Sequence, residues 1–196
     1  MKRTVVYSGS FNPVHNGHVS IAEYLIANRL ADEVWLVVSP RNPFKAAAGL
    51  APEQDRLAMA GLAARSSRYP DRIRSCDIEL GLPRPSYTID TLHALSARHP
   101  GREFVLLIGA DNLGRLDRWK SSDVLLRDYP VWVYPREGYT PTAIPEQVQL
   151  LADAPLLDFA ATDIRRMLSR GASPESHLPA AVWAYIQTHC LYGIRR

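Results

Sequence analysis

At 196 residues with 46% hydrophobic content, the chain is long enough to bury one core and short for two, so a single domain over residues 1–196 is expected. Its formal net charge of +3 and pI near 9.0 come from 23 Lys and Arg scattered along the chain, which suits an anionic small substrate and lacks the basic, aromatic-interleaved face of a nucleic-acid-binding module. Two cysteines, Cys76 and Cys190, form no C-x-x-C pair and read as reduced thiols; no stretch approaches about 20 apolar residues and Met1-Lys2-Arg3 leads directly into a strand, so a cytoplasmic protein with no membrane partner is expected.

Arg3 to Tyr7 (RTVVY) is β-branched and aromatic and predicts a strand. Gly17 to Leu30 repeats apolar residues at helical spacing, at Val19, Ile21, Ala22, Leu25, Ile26 and Leu30. The stretch between them, Y-S-G-S-F-N-P-V-H-N-G-H from Tyr7 to His18, therefore lies at the carboxyl end of a strand, the edge at which open parallel α/β sheets bind ligands. Its residue types suit a phosphate. Gly9 permits close approach or a positive φ, Asn12-Pro13 forces a turn, and Ser10 offers a hydroxyl and an N–H. His15 and His18, three apart, face the same way at the positive end of a helix, with no cysteine or carboxylate at zinc-ligand spacing beside them.

Glu33 to Val38 is a continuous apolar run, as for a strand covered on both faces, and strand-helix-strand at this spacing implies a parallel sheet. In the following loop Lys45 reads equally as a phosphate ligand and as a solvated lysine, and Ala46 to Leu50 as a mobile loop that orders with substrate. Pro52 to Arg65 predicts a helix with Pro52 at its first position, Ile73 to Ile78 a short strand with Cys76 in the core, and Ser86 to about His99 a helix capped by Ser86 or Thr88. Glu103 to Ile108 is a buried strand; Gly109 and Asp111 just past it either approach a nucleotide or cap a helix. Trp119, flanked by charges, reads as a surface anchor or a stacking platform. Ser121-Ser122 opens a helix to Leu126, Val131 to Tyr134 is a strand, and Thr140 to Asp158 holds a peripheral strand or hairpin. The segment from Asp158 to Leu168 predicts a helix capped by Thr162, with Arg165 either a second anion ligand or a surface arginine, and Leu178 to Thr188 a packing helix. His93, His99, His177 and His189 carry no motif. The expected fold is α/β: a Rossmann-like, doubly wound parallel sheet with helices on both faces.

The first loop resembles the G-x-F-x-P-x-H-x-G-H signature of the nucleotidyltransferase superfamily, with Gly9, Phe11, Pro13, His15, Gly17 and His18 in every fixed place. Ser86-Tyr87-Thr88 with Thr91-Leu92, the I-G-A-D-N-L run at Ile108 to Leu113 with Trp119 beyond it, and Thr162-Asp163-Ile164-Arg165 extend the resemblance over nearly the whole chain, to the bacterial nicotinate mononucleotide adenylyltransferases. Residues 160–196 would be a C-terminal helical part carrying the T-x-I-R motif. The resemblance implies a nucleotidyltransferase fold, ATP and nicotinate mononucleotide as substrates, and deamido-NAD and pyrophosphate as products of NAD biosynthesis. It places His18 and His15 as catalytic residues. ATP and its phosphates would meet Gly9, Ser10, Phe11, His15, His18, Lys45, Gly109, Asp111, Thr162 and Arg165, and the nicotinate ring Ser86, Tyr87, Thr88 and Trp119. Mg²⁺ would arrive with ATP, without a dedicated protein cage. Ser8 in place of a glycine, Phe159-Ala160 in place of Ile-Ser, and Phe44 in place of a histidine depart from the family pattern. Phosphopantetheine adenylyltransferase, a cytidylyltransferase and a catalytically silent nucleotide sensor are the alternatives, and the oligomeric state is open, a homo-oligomer included.

Overall fold

The computed structural model describes residues 1–40, 49–139, 144–156 and 159–194. Six strands form one sheet in the order β3-β2-β1-β4-β5-β6, every neighbouring pair parallel. They are β1 (Lys2–Gly9), β2 (Glu33–Val38), β3 (Ile73–Cys76), β4 (Arg102–Gly109), β5 (Val131–Tyr134) and β6 (Val148–Leu150). The last of these adds to the sheet as a parallel edge strand, so the segment around it forms no hairpin with β5.

Alternation along the strands sorts side chains into two cores. Val5, Tyr7, Leu36, Val38, Val105, Leu107, Trp132 and Tyr134 point to one face. That face is covered by α1 (Asn16–Ala27), α2 (Glu53–Arg65), α6 (Ala161–Ser169) and α7 (Ala180–Thr188). Val6, Trp35, Val37, Leu106, Ile108, Val131 and Val133 point to the other, under α3 (Thr88–Arg98), α4 (Ala110–Leu113) and α5 (Ser122–Asp128). Burial on both sides is why these strands read as unbroken apolar runs. Among the described residues no helix is long and apolar enough to cross a membrane.

Several helix starts differ from the sequence reading. Pro52 stands outside α2 as its N-cap, with extended backbone (φ −50, ψ 145). Tyr87, not Ser86 or Thr88, is the N-cap of α3, and no side chain caps it. Ala160 precedes α6 and leaves Thr162 inside the first turn; the cap is closed by Asp163, whose Oδ2 accepts the Ala160 N–H at 2.8 Å. Ser121 precedes α5 in the left-handed region (φ 50), again without a side-chain cap.

Strands run outward in opposite senses from β1, toward β2 and β3 on one side and β4 to β6 on the other. The switch falls between β1 and β4, and a crevice opens beyond their carboxyl ends.

Candidate active site

β1 ends at Gly9 beside Val38 of β2, and the loop Ser10 to His15 carries the chain across the sheet edge into α1. The positive φ in this loop belongs to Phe11 (φ 43), not to Gly9. Phe11 is buried, and its ring meets Tyr7 edge-on at 5.7 Å and His18 at 5.0 Å between centroids. A Cβ at Gly9 would touch that ring at 3.4 Å, so the glycine's place is one of close approach.

His15 is the extended N-cap residue of α1, and His18 sits one turn in, with ring centroids 3.7 Å apart. The His15 N–H donates to Nδ1 of His18 at 3.2 Å. Nδ1 is therefore an acceptor without a proton, which assigns the proton of the neutral ring to Nε2. His15 is almost wholly buried and its Nδ1 has no hydrogen-bond partner. Burial, and then the charges of Arg136 and His177, lower its pKa to about 3, so it is neutral at physiological pH. His177, which carried no sequence motif, reaches this pair through Phe159: the Phe159 ring packs on His15 at 4.9 Å and on His177 at 4.5 Å.

The opposite wall is the end of β4. A Cβ at Gly109 would fall 2.5 Å from Asp111 Oδ1 and 2.8 Å from Arg136 Cδ, so any larger residue would displace these two side chains from the cleft wall. Gly109 is the residue before α4, as the helix-cap reading has it, and it also lines the cleft wall. Asp111 Oδ1 is buried without a hydrogen-bond partner, 3.7 Å from Arg136 Nε. Beneath them Tyr7 donates its hydroxyl to that of Tyr134 at 3.0 Å, and burial raises both phenols above their usual pKa.

A third wall holds the start of α3. Glu79, buried in the 3-10 turn Ile78–Gly81, accepts the Ser8 hydroxyl at 2.8 Å and that of Ser86 at 3.2 Å, and Ser8 also bonds Ser39 at 3.0 Å. Ser8, the residue that replaces a glycine, thus ties the ends of β1 and β2 to the segment Ser86 to Thr88. Trp119 is half-buried on the same side, and Lys120 places Nζ 4.8 Å from the Tyr87 ring centre while pairing with Asp90 at 2.8 Å. Arg165 closes the fourth side from α6, donating to the Asn12 carbonyl at 2.7 Å and to the Thr162 hydroxyl at 3.3 Å.

One cleft of about 930 Å³ joins these walls. It brings together Gly9, Ser10, Phe11, His15 and His18 with Gly109 and Asp111, with Ser86, Tyr87, Thr88 and Trp119, and with Thr162 and Arg165. Lys45 and Phe44 lie outside the described residues, as does most of the loop expected to order with substrate. Cys76 is half-buried at the end of β3, where burial raises its thiol pKa, as for a structural thiol. Among the described residues no three His, Cys, Asp or Glu side chains gather into a metal cage.

Sequence reasoning missed four residues of this framework. Arg136 brings a cation to the cleft floor from the loop after β5. Arg56 is fully buried and gives its guanidinium to four carbonyls, those of Ser10 (2.7 Å), Ser39 (2.6 Å), Pro40 (2.8 Å) and Ala51 (3.0 Å). Its spacing from Met59, Ala60 and Ala63 puts it on the apolar stripe of α2, and a lone charge on that stripe was the available signal. Asn12 does more than turn the chain: its side chain bonds Gly49, Ala51 and Tyr192. Glu79 had no local signal.

A doubly wound sheet whose switch-point cleft joins a helix start, two histidines with ring centres 3.7 Å apart and arginines on two walls defines a Rossmann-like α/β protein with its ligand cleft at the switch point. The chain belongs to the cytidylyltransferase-like family, whose model matches residues 6–167. It is 41% identical over 194 residues to a probable nicotinate-nucleotide adenylyltransferase of Bacteroides thetaiotaomicron, covering 98% of this chain and 94% of that one. To the probable nicotinate-nucleotide adenylyltransferase of Bacteroides fragilis it is 42% identical over 186 residues, covering 94% and 90%. In fold it matches the nicotinic acid mononucleotide adenylyltransferase of Plasmodium falciparum, solved with NaAD, at a TM-score of 0.81 over 100% of this chain and 99% of that one, with 17% identity.

Proposed function

We propose that this chain transfers the adenylyl group of ATP to nicotinate mononucleotide, giving nicotinate adenine dinucleotide and pyrophosphate, a step of NAD biosynthesis. The observation that carries the reading is the meeting, across one cleft, of the His15–His18 pair with the Ser86–Thr88 segment and Trp119. Relatives about 40% identical over almost the whole length, each named for this activity, support it.

An oxygen of the acceptor's phosphate attacks the α-phosphorus of ATP in line, the bond to the α–β bridging oxygen breaks, and pyrophosphate leaves with that oxygen. No covalent enzyme intermediate forms, so the protein supplies position and charge. His18 donates from Nε2 to an α-phosphate oxygen, its tautomer set by the bond from the His15 N–H. Neutral His15 and Ser10 contact phosphate beside it, with Gly9 and Phe11 shaping the approach. Arg165, held at Thr162, and Lys45 take the β- and γ-phosphates and then the pyrophosphate; Arg136 adds charge at the floor. Gly109 and Asp111 meet the nucleotide, and Tyr87, Thr88 and Trp119, with Ser86 anchored to Glu79, receive the nicotinate ring. Magnesium brought by ATP would shield phosphate charge. The site fits it in one respect: the Asp111 carboxylate lines the cleft and would accept hydrogen bonds from the metal's waters.

The test is pyrophosphate release from ATP and magnesium in parallel reactions with nicotinate mononucleotide, nicotinamide mononucleotide and phosphopantetheine. Release with the nicotinate compound well above the others is expected. Release only with another acceptor overturns the assignment of Tyr87, Thr88 and Trp119, and ATP binding without release with any acceptor makes the protein a sensor.

A further inference from the structure

The C-terminal 3-10 turn Leu191–Gly193 returns to the first loop of the chain. Within it Tyr192 takes a left-handed backbone conformation (φ 57) that residues with a Cβ rarely adopt, and its side chain reaches inward. Its hydroxyl donates to Asn12 Oδ1 at 2.9 Å. The same oxygen accepts the Ala51 N–H at 3.0 Å, while Asn12 Nδ2 donates to the Gly49 carbonyl at 2.9 Å. Three bonds leave the carboxamide one orientation. The backbone of Asn12 in turn holds the site: its carbonyl accepts Arg165 Nη1 at 2.7 Å. Burial pushes the Tyr192 phenol pKa up, so it stays a donor at any working pH.

We propose that Tyr192 is a positioning residue for the triphosphate end of the cleft, acting through Asn12 on Arg165. This deepens the adenylyltransferase reading and rests on it for the placement of ATP. Asn12 sits where α6, the segment Gly49 to Ala51 and the β1–α1 loop converge. A shift of its carboxamide moves the loop that carries its carbonyl, and with it the fork of Arg165. The adenosine end, at β4, shares none of these bonds. The hydroxyl of Tyr192 therefore favours ligands with a β- and γ-phosphate over those without.

Tyr192→Phe removes that hydroxyl and little volume, and leaves Asn12 Oδ1 its bond to Ala51. Calorimetric affinities of the full-length variant would be measured for the ATP analogue with a methylene between its α- and β-phosphorus, and for AMP. The analogue is expected to bind about fivefold more weakly with AMP affinity nearly unchanged, while the melting temperature falls by no more than about 2–4 °C. On an Arg165→Lys background the same substitution should cost nothing further. Equal weakening of both ligands, no change in either, or full additivity with Arg165→Lys overturns the proposal. Should Phe at 192 lower the melting temperature markedly, the ratio of the two affinities in the folded fraction still decides, because loss of fold alone leaves that ratio fixed. Neither ligand requires the acceptor, so the result stands apart from pyrophosphate release by the unsubstituted chain, which tests the adenylyltransferase reading.

Discussion

At His18 one backbone hydrogen bond decides the chemistry of a ring. Because the His15 N–H occupies Nδ1, the proton of the ring is on Nε2, and in the proposed reaction that nitrogen would serve the α-phosphate as a donor already oriented for the transition state. Donors of this kind typically contribute about 10²–10³-fold to turnover. His18→Ala is expected to lower kcat by at least that factor while its circular dichroism and melting temperature stay close to those of the parent. Near-normal turnover in a folded variant would remove His18 from the mechanism. The neighbouring residues show what a local string conveys. Gly9, His15 and His18 sit within ten positions of one another, so their meeting at one cleft was legible. Which residue of the loop takes the positive φ was not, because Phe11 is held there by Tyr7 and His18, contacts that only the folded sheet provides.

Among the elements, α2 has the least expected task. It contributes apolar side chains to one core, yet its Arg56 also gathers the carbonyls that end β1 and β2. Those carbonyls have passed beyond the sheet ladder and would otherwise be buried without donors, at a cost of about 1–3 kcal/mol each where no water reaches them. Arg56→Met should therefore destabilise the chain by about 3 kcal/mol or more, read as a lower urea midpoint at unchanged slope. Arg56→Lys, which keeps the charge and loses the planar fork, should recover only part of the loss. A neutral Arg56→Met would mean that the strand ends find other donors. Strands and helices were legible because their periodicity is local, and so was the T-x-I-R segment. The bonds that assemble the cleft join residues far apart in sequence, Arg56 to Ser10 across 46 positions, Asn12 to Arg165 across 153 and to Tyr192 across 180. No window of sequence contains both partners, so Asn12 read as a turn former and Tyr192, beyond the last expected helix, drew no reading.

For the molecule as a whole, the two ends of the sheet carry groups whose titration acts in the same direction. At the carboxyl edge His15 has a pKa of about 3, first because of its burial and then because of Arg136 and His177, against about 6.5 in an unfolded chain. At the amino edge burial would raise Glu33, but hydrogen bonds from Lys2, Trp35 and Arg102 outweigh it and hold the carboxyl at about 2, below the ordinary 4.5. Both pKa values are depressed on folding, so between the folded and unfolded values the unfolded chain binds more protons and stability rises with pH. The His15 contribution is complete above about pH 6.5 and is lost progressively toward 3, while that of Glu33 is complete above about 4.5 and is lost toward 2. Urea midpoints should accordingly fall from pH 7 to pH 5 and fall more steeply below 4.5. His15→Asn should flatten the limb above 4.5 and make the lower one shallower down to about 3, whereas Glu33→Gln should leave the upper limb and remove only the extra steepness below 4.5, since the two sites lie at opposite ends of the sheet and share no partner. His99 is also lowered, by burial and by Arg102, and leaves a smaller upper limb of its own; an upper limb as steep in His15→Asn as in the parent would mean that the His15 ring is already protonated in the folded chain, and the neutral His15 of the proposed phosphate site would have to be abandoned.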